Sequence, residues 1–324
     1  MKKLLILPLL MAFTAANAQW GTAKQEDCQS IKNRILIVVV EETNPDLVKK
    51  LDPDEKDFYT KEVDDYNTLM KQIMPKYWKY NDKVVFKTRS EVEQLVKSKN
   101  KDYAYMEDNK FTSNYANHAA LKATMKIQQG KTPLFGSDYS ETAICIRLTD
   151  DNPNGNPVYG IYLPSAFPTS GQMVYGLKQL ELYLQYKDDG KKELEIDKLY
   201  KENAKNLAHM TLLIDKDETA LTDAEIKKYY PFPYQLVDKA RIDSAFLKEE
   251  SNYVTFVFIP RAGNKMTTKV ITTSDGTEMA RTDNSWNKGV GVSFGGIAEQ
   301  AAKQDATMGT VRKDDLKYIA KEAK

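Results

Sequence analysis

The chain has 324 residues, of which 41% are hydrophobic and 29% are charged, and its formal net charge is +1. So balanced a charge provides no general attraction to nucleic acid or anionic lipid, and we expect neither as a partner. The hydrophobic content is that of a folded protein and excludes a disordered, low-complexity chain. The length exceeds the size at which a single core usually stops growing, which predicts two domains.

Residues 1–18 carry the three parts of a secretory signal peptide. Two lysines form a positive start, an apolar stretch follows from Leu4 to Phe13, and Ala16-Asn17-Ala18 is a cleavage site. The apolar stretch is well short of the roughly 20 residues that a transmembrane helix needs. We expect cleavage after Ala18, no transmembrane segment in the mature protein, and a periplasmic or secreted location. Loss of the two lysines changes the net charge of +1 to −1.

Cys28 and Cys145 are the two cysteines of the sequence. In an oxidising compartment they can form one disulfide. The alternative is that Cys145, within the apolar run Ala143–Ile146, is a small core residue. Together with the two histidines, His118 and His209, they do not make a four-ligand zinc site without carboxylates, and we expect no cofactor.

The first half of the chain follows the order strand, helix, strand, helix, strand. A helix is predicted from Asp52 to Pro75, because apolar residues recur at helical spacing and the proline should close it. Ser90, with Glu93 three residues later, predicts a capping box for the second helix. Runs of β-branched and aromatic residues predict the strands, which are Arg34–Val40, Val84–Phe86 and Tyr103–Met106.

The second half repeats this order. Thr222 and Glu225 predict a capping box for a short helix, and Lys239–Glu249 is predicted as the second helix. Tyr103 and Tyr253 both enter the last strand of their half, which supports an internal duplication; the alternative is a chance alignment of a common order. The predicted strands are Thr211–Ile214, Tyr234–Val237 and Tyr253–Ile259.

Each half then adds an antiparallel pair of strands. The turn of the first pair is Asp150–Gly155, and that of the second is Asp275-Gly276, a strong hairpin signal. We therefore predict an α/β fold of two similar βαβαβ units with added antiparallel hairpins and mixed sheets. The added strands are Thr142–Leu148 with Val158–Leu163, and Lys269–Thr273 with Thr277–Arg281.

A helical connector is predicted to join the two units. Residues 19–190 form the first unit with its hairpin and connector helix, and residues 191–324 form the second unit with a carboxyl-terminal helix. The connector carries apolar residues on several faces, so it needs two partners. It should lie between the units or in a homodimer contact through residues 170–187. The final helix, Thr310–Lys324, is predicted to cover its own unit.

One segment resembles a known class of envelope module. Residues Tyr234–Glu249 join a strand that ends in Val and a polar pair to a helix with an Ile/Leu–acid–x–x–Leu-like run, and Val85–Leu95 matches less closely. The pattern is similar to small periplasmic α/β modules of the curli-secretion-channel family and of the TolB amino-terminal domain. The resemblance implies a non-catalytic role in binding or assembly.

Two glycine-rich motifs near the end of the chain suggest catalysis or phosphate binding. Gly291-Val-Ser293-Phe-Gly295 matches a nucleophile elbow, but no histidine follows Ser293, as the triad order of α/β-hydrolases requires. Gly289-Val-Gly291 with Gly295-Gly296 fits neither the dinucleotide nor the P-loop spacing. We interpret both as glycine-spaced backbone rather than as a site.

Asp150, Asn152 and Asn154 reproduce the first half of a calcium loop. The position that should supply a bidentate glutamate is Ile161. The three residues are therefore candidates for a partial, low-affinity site at most, and a solvated turn is the favoured interpretation.

These observations favour an exported, non-catalytic binding or assembly protein of the bacterial cell envelope, whose partner is an envelope protein or a small-molecule ligand. The alternatives are an extracytoplasmic hydrolase of glycans or esters, acting through carboxylates or Ser293, and a periplasmic solute-binding protein with a cleft between its two units. No catalytic residue is assigned.

Overall fold

The computed structural model describes residues 19–20, 23–128, 142–261, 266–283 and 310–324. The signal segment and both glycine-rich motifs around Ser293 lie outside these ranges. None of the helices within them is both long and apolar enough to cross a membrane.

The first sheet has six strands: β1 (Gln19–Trp20), β2 (Ile35–Val40), β3 (Val84–Thr88), β4 (Tyr103–Asp108), β5 (Ala143–Leu148) and β6 (Tyr159–Tyr162). Their order across the sheet is β1-β6-β5-β4-β2-β3. The central β2 is parallel to β3 and β4, and β5, β6 and β1 extend the sheet in antiparallel fashion. The β-branched run Ile35–Val40 occupies the buried centre, as its composition predicts.

The described residues of the first unit form six α-helices: α1 (Gln25–Asn33), α2 (Pro45–Val48), α3 (Pro53–Tyr77), α4 (Arg89–Lys97), α5 (His118–Gln128) and α6 (Ser170–Asp188). Side chains of α1, α3 and α6 pack on one face of the sheet, and α4 packs on the other. The α2 and α5 helices share a smaller apolar cluster with the start of α3.

The second unit repeats this plan with five strands and four helices in the described ranges. In chain order these are α7 (Glu193–Ala204), β7 (Thr211–Asp215), α8 (Asp223–Tyr229), β8 (Tyr234–Val237), α9 (Lys239–Lys248), β9 (Tyr253–Arg261), β10 (Met266–Thr273), β11 (Glu278–Asp283) and α10 (Lys313–Glu322). The strand order is β11-β10-β9-β7-β8. Here β7 is parallel to β8 and β9, and β10 and β11 are antiparallel additions.

All strands of the first sheet except β1 have a counterpart at the same place in the second sheet, which confirms the predicted α/β fold of two similar units. In each, the central strand pairs with the last parallel strand at a tyrosine, Ile35 with Tyr103 and Thr211 with Tyr253. The segment from β3 to β4 aligns without gaps with the segment from β8 to β9. Arg89 and Lys239 are therefore equivalent: each is the first residue of the helix between the two strands, α4 or α9.

The same backbone turn ends this helix in both units. Lys99 and Glu249 adopt left-handed conformations, each with φ of 51°. The next amide, of Asn100 or Glu250, donates to a carbonyl five residues earlier at 3.1 Å. This is the Schellman arrangement, and its use of a non-glycine residue twice at one position is a detailed sign of the duplication.

The connector helix α6 is buried by both units, in agreement with the prediction that it needs two partners. Met173, Leu177 and Leu184 belong to the core of the first sheet. Tyr175 instead joins a cluster with Phe246 and with the α9 face of the second sheet. A homodimer through residues 170–187 stays a prediction.

Two predicted details of the first unit are wrong. The helix α3 does not end at Pro75 but continues to Tyr77, because Tyr77 is buried and its hydroxyl donates to Leu247 O at 2.6 Å. The cap of α4 is Thr88 with Glu91, not Ser90 with Glu93. The Ser90 hydroxyl donates to Glu42 instead, at 2.7 Å.

The carboxyl-terminal helix α10 covers its own sheet, as predicted, through Leu316 and Ile319. The two cysteines are free and buried. Cys28 lies in α1, where burial raises the pKa of its thiol to about 12, and Cys145 lies in β5. The core-residue alternative therefore describes Cys145 in this structure.

Candidate functional site

The fold directs attention to the carboxyl ends of the parallel strands. In each unit the chain passes from the central strand to one side and then crosses to the other, giving the order β3-β2-β4 or β8-β7-β9. Ligands of open α/β sheets bind outside the carboxyl ends at such a switch point, because the two connections leave in opposite directions and a crevice remains between them.

In the first unit this position is filled by ion pairs. The Arg89 guanidinium, at the start of α4, bonds both Glu41 oxygens, with Nε 2.8 Å from Oε2, and it also reaches Glu107 Oε2 at 3.0 Å. Arg147 of β5 bonds the other Glu107 oxygen at 2.9 Å. The Glu41 and Glu107 side chains are only 2% and 7% exposed, so the guanidinium groups close the crevice.

Burial dominates the electrostatics of this cluster. Desolvation raises the pKa of Glu41 to about 7, although the hydrogen bond from Arg89 opposes the shift. The same cause raises the pKa of the neighbouring Asp108 to about 6. Lys110 pairs with Glu62 at 3.0 Å beside it. Glu41, Glu107 and Glu62 are each paired with a cation of the chain itself, which suits a structural role. In contrast, the buried Oδ2 of Asp108 has no hydrogen-bond partner among the described residues.

In the second unit the equivalent position is open. A cavity of about 260 Å³ lies between the carboxyl ends of β7 and β9, the helix α9, and the segment that leads from β6 into α6. Both units contribute to its wall. Its charged and aromatic lining residues are Tyr175, Asp215, Glu218, Lys239, Asp243, Phe246, Phe256 and Phe258.

Three carboxylates face this cavity without forming an ion pair to any residue that the structure describes. Asp215, the last residue of β7, is 5% exposed, and its Oδ1 accepts the Asp217 amide at 3.0 Å. Burial, reinforced by the charge of Asp215, raises the pKa of Glu218 to about 7. Burial also raises the pKa of Asp243.

The start of α6 fixes one side of the cavity. The Thr169 hydroxyl, which caps α6, donates to Asp243 Oδ1 at 2.6 Å. Gly171 permits this approach, because a Cβ there would lie 2.7 Å from the Asp243 Cα. The two units can approach this closely at the cavity because Gly171 has no side chain.

Two substitutions between equivalent positions account for the opening. Glu107 of β4 lies opposite Cys145 of β5. The equivalent residue of the second unit is Val257 of β9, which lies opposite Val270 of β10. Because the second unit has a valine at the position of Glu107, Lys239 forms no ion pair with a buried carboxylate in the described residues, unlike Arg89. The Lys239 side chain is exposed.

The predicted calcium-loop residues lie elsewhere, in the β5–β6 connection. The Asp150 carboxylate pairs with Arg34 Nη1 at 2.5 Å, and Asn152 Oδ1 accepts the Asn154 amide at 3.1 Å. Across the described ranges, no three or more His, Cys, Asp or Glu side chains are grouped so as to hold a metal ion. A partial calcium site at Asp150, Asn152 and Asn154 stays a prediction.

His118 has a carboxylate partner that could not be inferred from the residues next to it in the sequence. His118 Nε2 lies 2.8 Å from Glu55 Oε2, which links the start of α5 to the start of α3. Both lie outside the cavity. A second, open groove of about 660 Å³ runs along the edge strand β8, past Phe232, Tyr234 and Leu236. Its lining carboxylate, Asp223, accepts a hydrogen bond from the Tyr234 hydroxyl at 2.7 Å.

Searches against models of known protein families, curated proteins and solved structures found no match. The candidate site therefore stands on its geometry. Sequence reasoning missed Asp215, Glu218, Lys239 and Asp243. The available signal was the repeat itself, since aligning the halves places Lys239 where Arg89 stands and Val257 where Glu107 stands.

Proposed function

We propose that this is an exported, non-catalytic binding protein of the bacterial cell envelope that holds a small ligand in the cavity between its two units. The observation that carries the proposal is the contrast at the switch points. The crevice of the first unit is closed by Arg89, Glu41 and Glu107, whereas that of the second is open and lined by carboxylates that form no ion pair with a described residue. Export rests on the signal pattern of residues 1–18.

The resemblance to periplasmic envelope modules supports the same proposal. Its best-matching segment, Tyr234–Glu249, spans β8 and α9. The side chains of Lys239, Ile242, Asp243 and Phe246 on that helix line the cavity. The segment that suggests a binding role thus supplies one wall of the candidate site.

The experiment is native mass spectrometry of the protein purified after export and incubated with a small-molecule extract of the host periplasm. Ser165 lines the cavity, so Ser165→Trp should fill it while Ser165→Ala leaves it open. We expect a bound mass on the wild type and on Ser165→Ala, and none on Ser165→Trp. No bound mass on any of the three, or equal binding by all three, contradicts the proposal.

A hydrolase is the second candidate, and one observation favours it. Glu218, with a pKa of about 7, lies at the same cavity as a second carboxylate, Asp215. Acid–base hydrolases use carboxyl pairs whose environments differ in this way. Hydrolysis of aryl glycosides or esters that is lost in Glu218→Gln would favour this candidate, and loss in Ser293→Ala would favour the serine instead.

A further inference from the structure

We infer that the ligand of this cavity is a small organic cation, an amine carried on an apolar body. The inference rests on the proposed function, because it names the chemistry of the same site. It follows from three features of the lining: a largely buried carboxylate that forms no ion pair with a described residue, an excess of negative charge, and two aromatic rings.

Asp215 is a largely buried carboxylate that forms no ion pair with a described residue. It is 5% exposed, and the Asp217 amide satisfies only Oδ1. Its Oδ2 accepts no hydrogen bond from any residue in the described part of the chain. A buried carboxylate is costly unless its oxygens are paired, so a cationic donor placed in the cavity would supply the missing interaction.

The charge around Asp215 has the same sign. Glu218 and Asp243 line the cavity beside it, and Lys239 is the one cationic side chain in the described lining. Lys239 is exposed, and its charge only partly offsets the burial that raises the pKa of Glu218 and of Asp243. An anionic ligand would be repelled by whichever of the three carboxyl groups are ionised, whereas an ammonium group would be attracted by them and would favour their ionised form.

Part of the lining is apolar. Tyr175, Phe246 and Val257 line the cavity and pack in one cluster, whereas the side chains of Phe256 and Phe258, at alternate positions of β9, belong to the core on the other face of the sheet. The Tyr175 and Phe246 rings meet edge to face, with centroids 6.0 Å apart. Aromatic rings bind both apolar groups and cations, which fits an amine attached to a hydrocarbon.

The volume limits the size of the ligand. At about 260 Å³ the cavity lies just below the range of about 300–1,000 Å³ that is usual for drug-sized ligands. A molecule with the size of a single amino-acid side chain or an aryl-ethylamine would fill it.

The test is isothermal titration calorimetry of the exported protein with three probes of one shape: phenethylamine, phenethyl alcohol and 3-phenylpropionate. We expect the amine to bind about tenfold more tightly than the alcohol, and the carboxylate not to bind. Asp215→Asn keeps the shape of the side chain and should weaken amine binding about tenfold while leaving alcohol binding unchanged. Asp217→Asn, an equal loss of charge outside the lining, should change amine binding by less than about twofold.

The outcomes separate the ligand class from the proposed function. Equal binding of amine and alcohol, preference for the carboxylate, or equal effects of the two asparagine variants would overturn the cation. If no probe binds but a periplasmic mass is still retained by Ser165→Ala and lost by Ser165→Trp, the ligand class is wrong and the binding function stands. If no probe binds and no mass is retained, both fail.

Discussion

The two units share a backbone plan and differ at the place where such a plan binds ligands. At the carboxyl ends of its parallel strands, the first unit has Arg89 locked between Glu41 and Glu107. The second has an exposed Lys239, a valine at the position of Glu107, and a cavity. We propose that the first switch point has a structural role and that the second is the ligand-binding position.

The strongest test of this comparison is to remove the equivalent cation from each unit. Arg89→Ala leaves two buried carboxylates without their shared partner and should lower the free energy of unfolding by about 3 kcal/mol or more. Lys239→Ala removes an exposed side chain and should change it by less than about 0.5 kcal/mol. Urea denaturation of both variants measures the difference. Similar losses would mean that the two positions are not functionally divided.

A second test compares two glutamates with similarly raised pKa values. Because the folded-state pKa of Glu218 is about 7, against about 4.3 in an unfolded chain, its stabilising contribution is present at low pH and is lost as the pH rises through about 7. Glu218→Gln should therefore be more stable than the wild type at a pH of about 8, by roughly 1 kcal/mol after allowance for partial exposure, and equal to it near pH 4.

Glu41→Gln is the matched variant in the first unit. The pKa of Glu41 is also raised to about 7, which by itself would make Glu41→Gln more stable than the wild type at pH 8. The substitution also deprives the partly buried Arg89 guanidinium, which is bonded to both Glu41 oxygens, of that charged partner, and we expect this larger loss to decide the sign. Glu41→Gln should therefore lower stability at pH 8, the opposite sign to Glu218→Gln. Denaturation midpoints at the two pH values decide this. If both variants are stabilised at pH 8, the Arg89 cluster is not the structural element described above.

The smallest expected effect concerns the left-handed turns that the units share. Lys99→Gly removes the strain of a side chain at φ 51° and should raise the free energy of unfolding by about 0.5 kcal/mol. Glu249→Gly should gain less, because Glu249 also pairs with Lys178 at 2.8 Å across the units, a contact worth a few tenths of a kcal/mol. Thermal unfolding of the two variants measures this, and a larger gain at Glu249 would contradict it.

The sequence predicts the architecture well because buried strands and capped helices leave local patterns. The run Ile35–Val40, the Thr222–Glu225 cap and the Asp275-Gly276 turn all lie where their patterns predict. Ser90 misleads because Thr88, two residues earlier, offers an equally good cap and Glu42 competes for the serine hydroxyl. Pro75 misleads because tertiary packing of Tyr77 outweighs the missing hydrogen bond.

The candidate site is not predictable in the same way. Asp215, Lys239 and Asp243 are ordinary polar residues at the ends of a strand and a helix, and no local motif joins them. They meet because of the crossover order of the strands and because Gly171 lets α6 approach α9. Neither the strand order nor the close approach at Gly171 can be inferred from a local sequence pattern. The site is recognised only from the strand order and from a comparison of equivalent positions in the two units.

The position of α6 bears on whether the two units unfold together or separately. One side of the helix completes the core beneath the first sheet, while Tyr175 closes the apolar cluster of Phe246, Val257 and Ile259 in the second. The second sheet also has a core of its own against α10, but loss of either half would expose the apolar surface that the two share at α6. We therefore expect the two repeats to unfold in one cooperative transition, and a proteolytic cut within α6 to destabilise both.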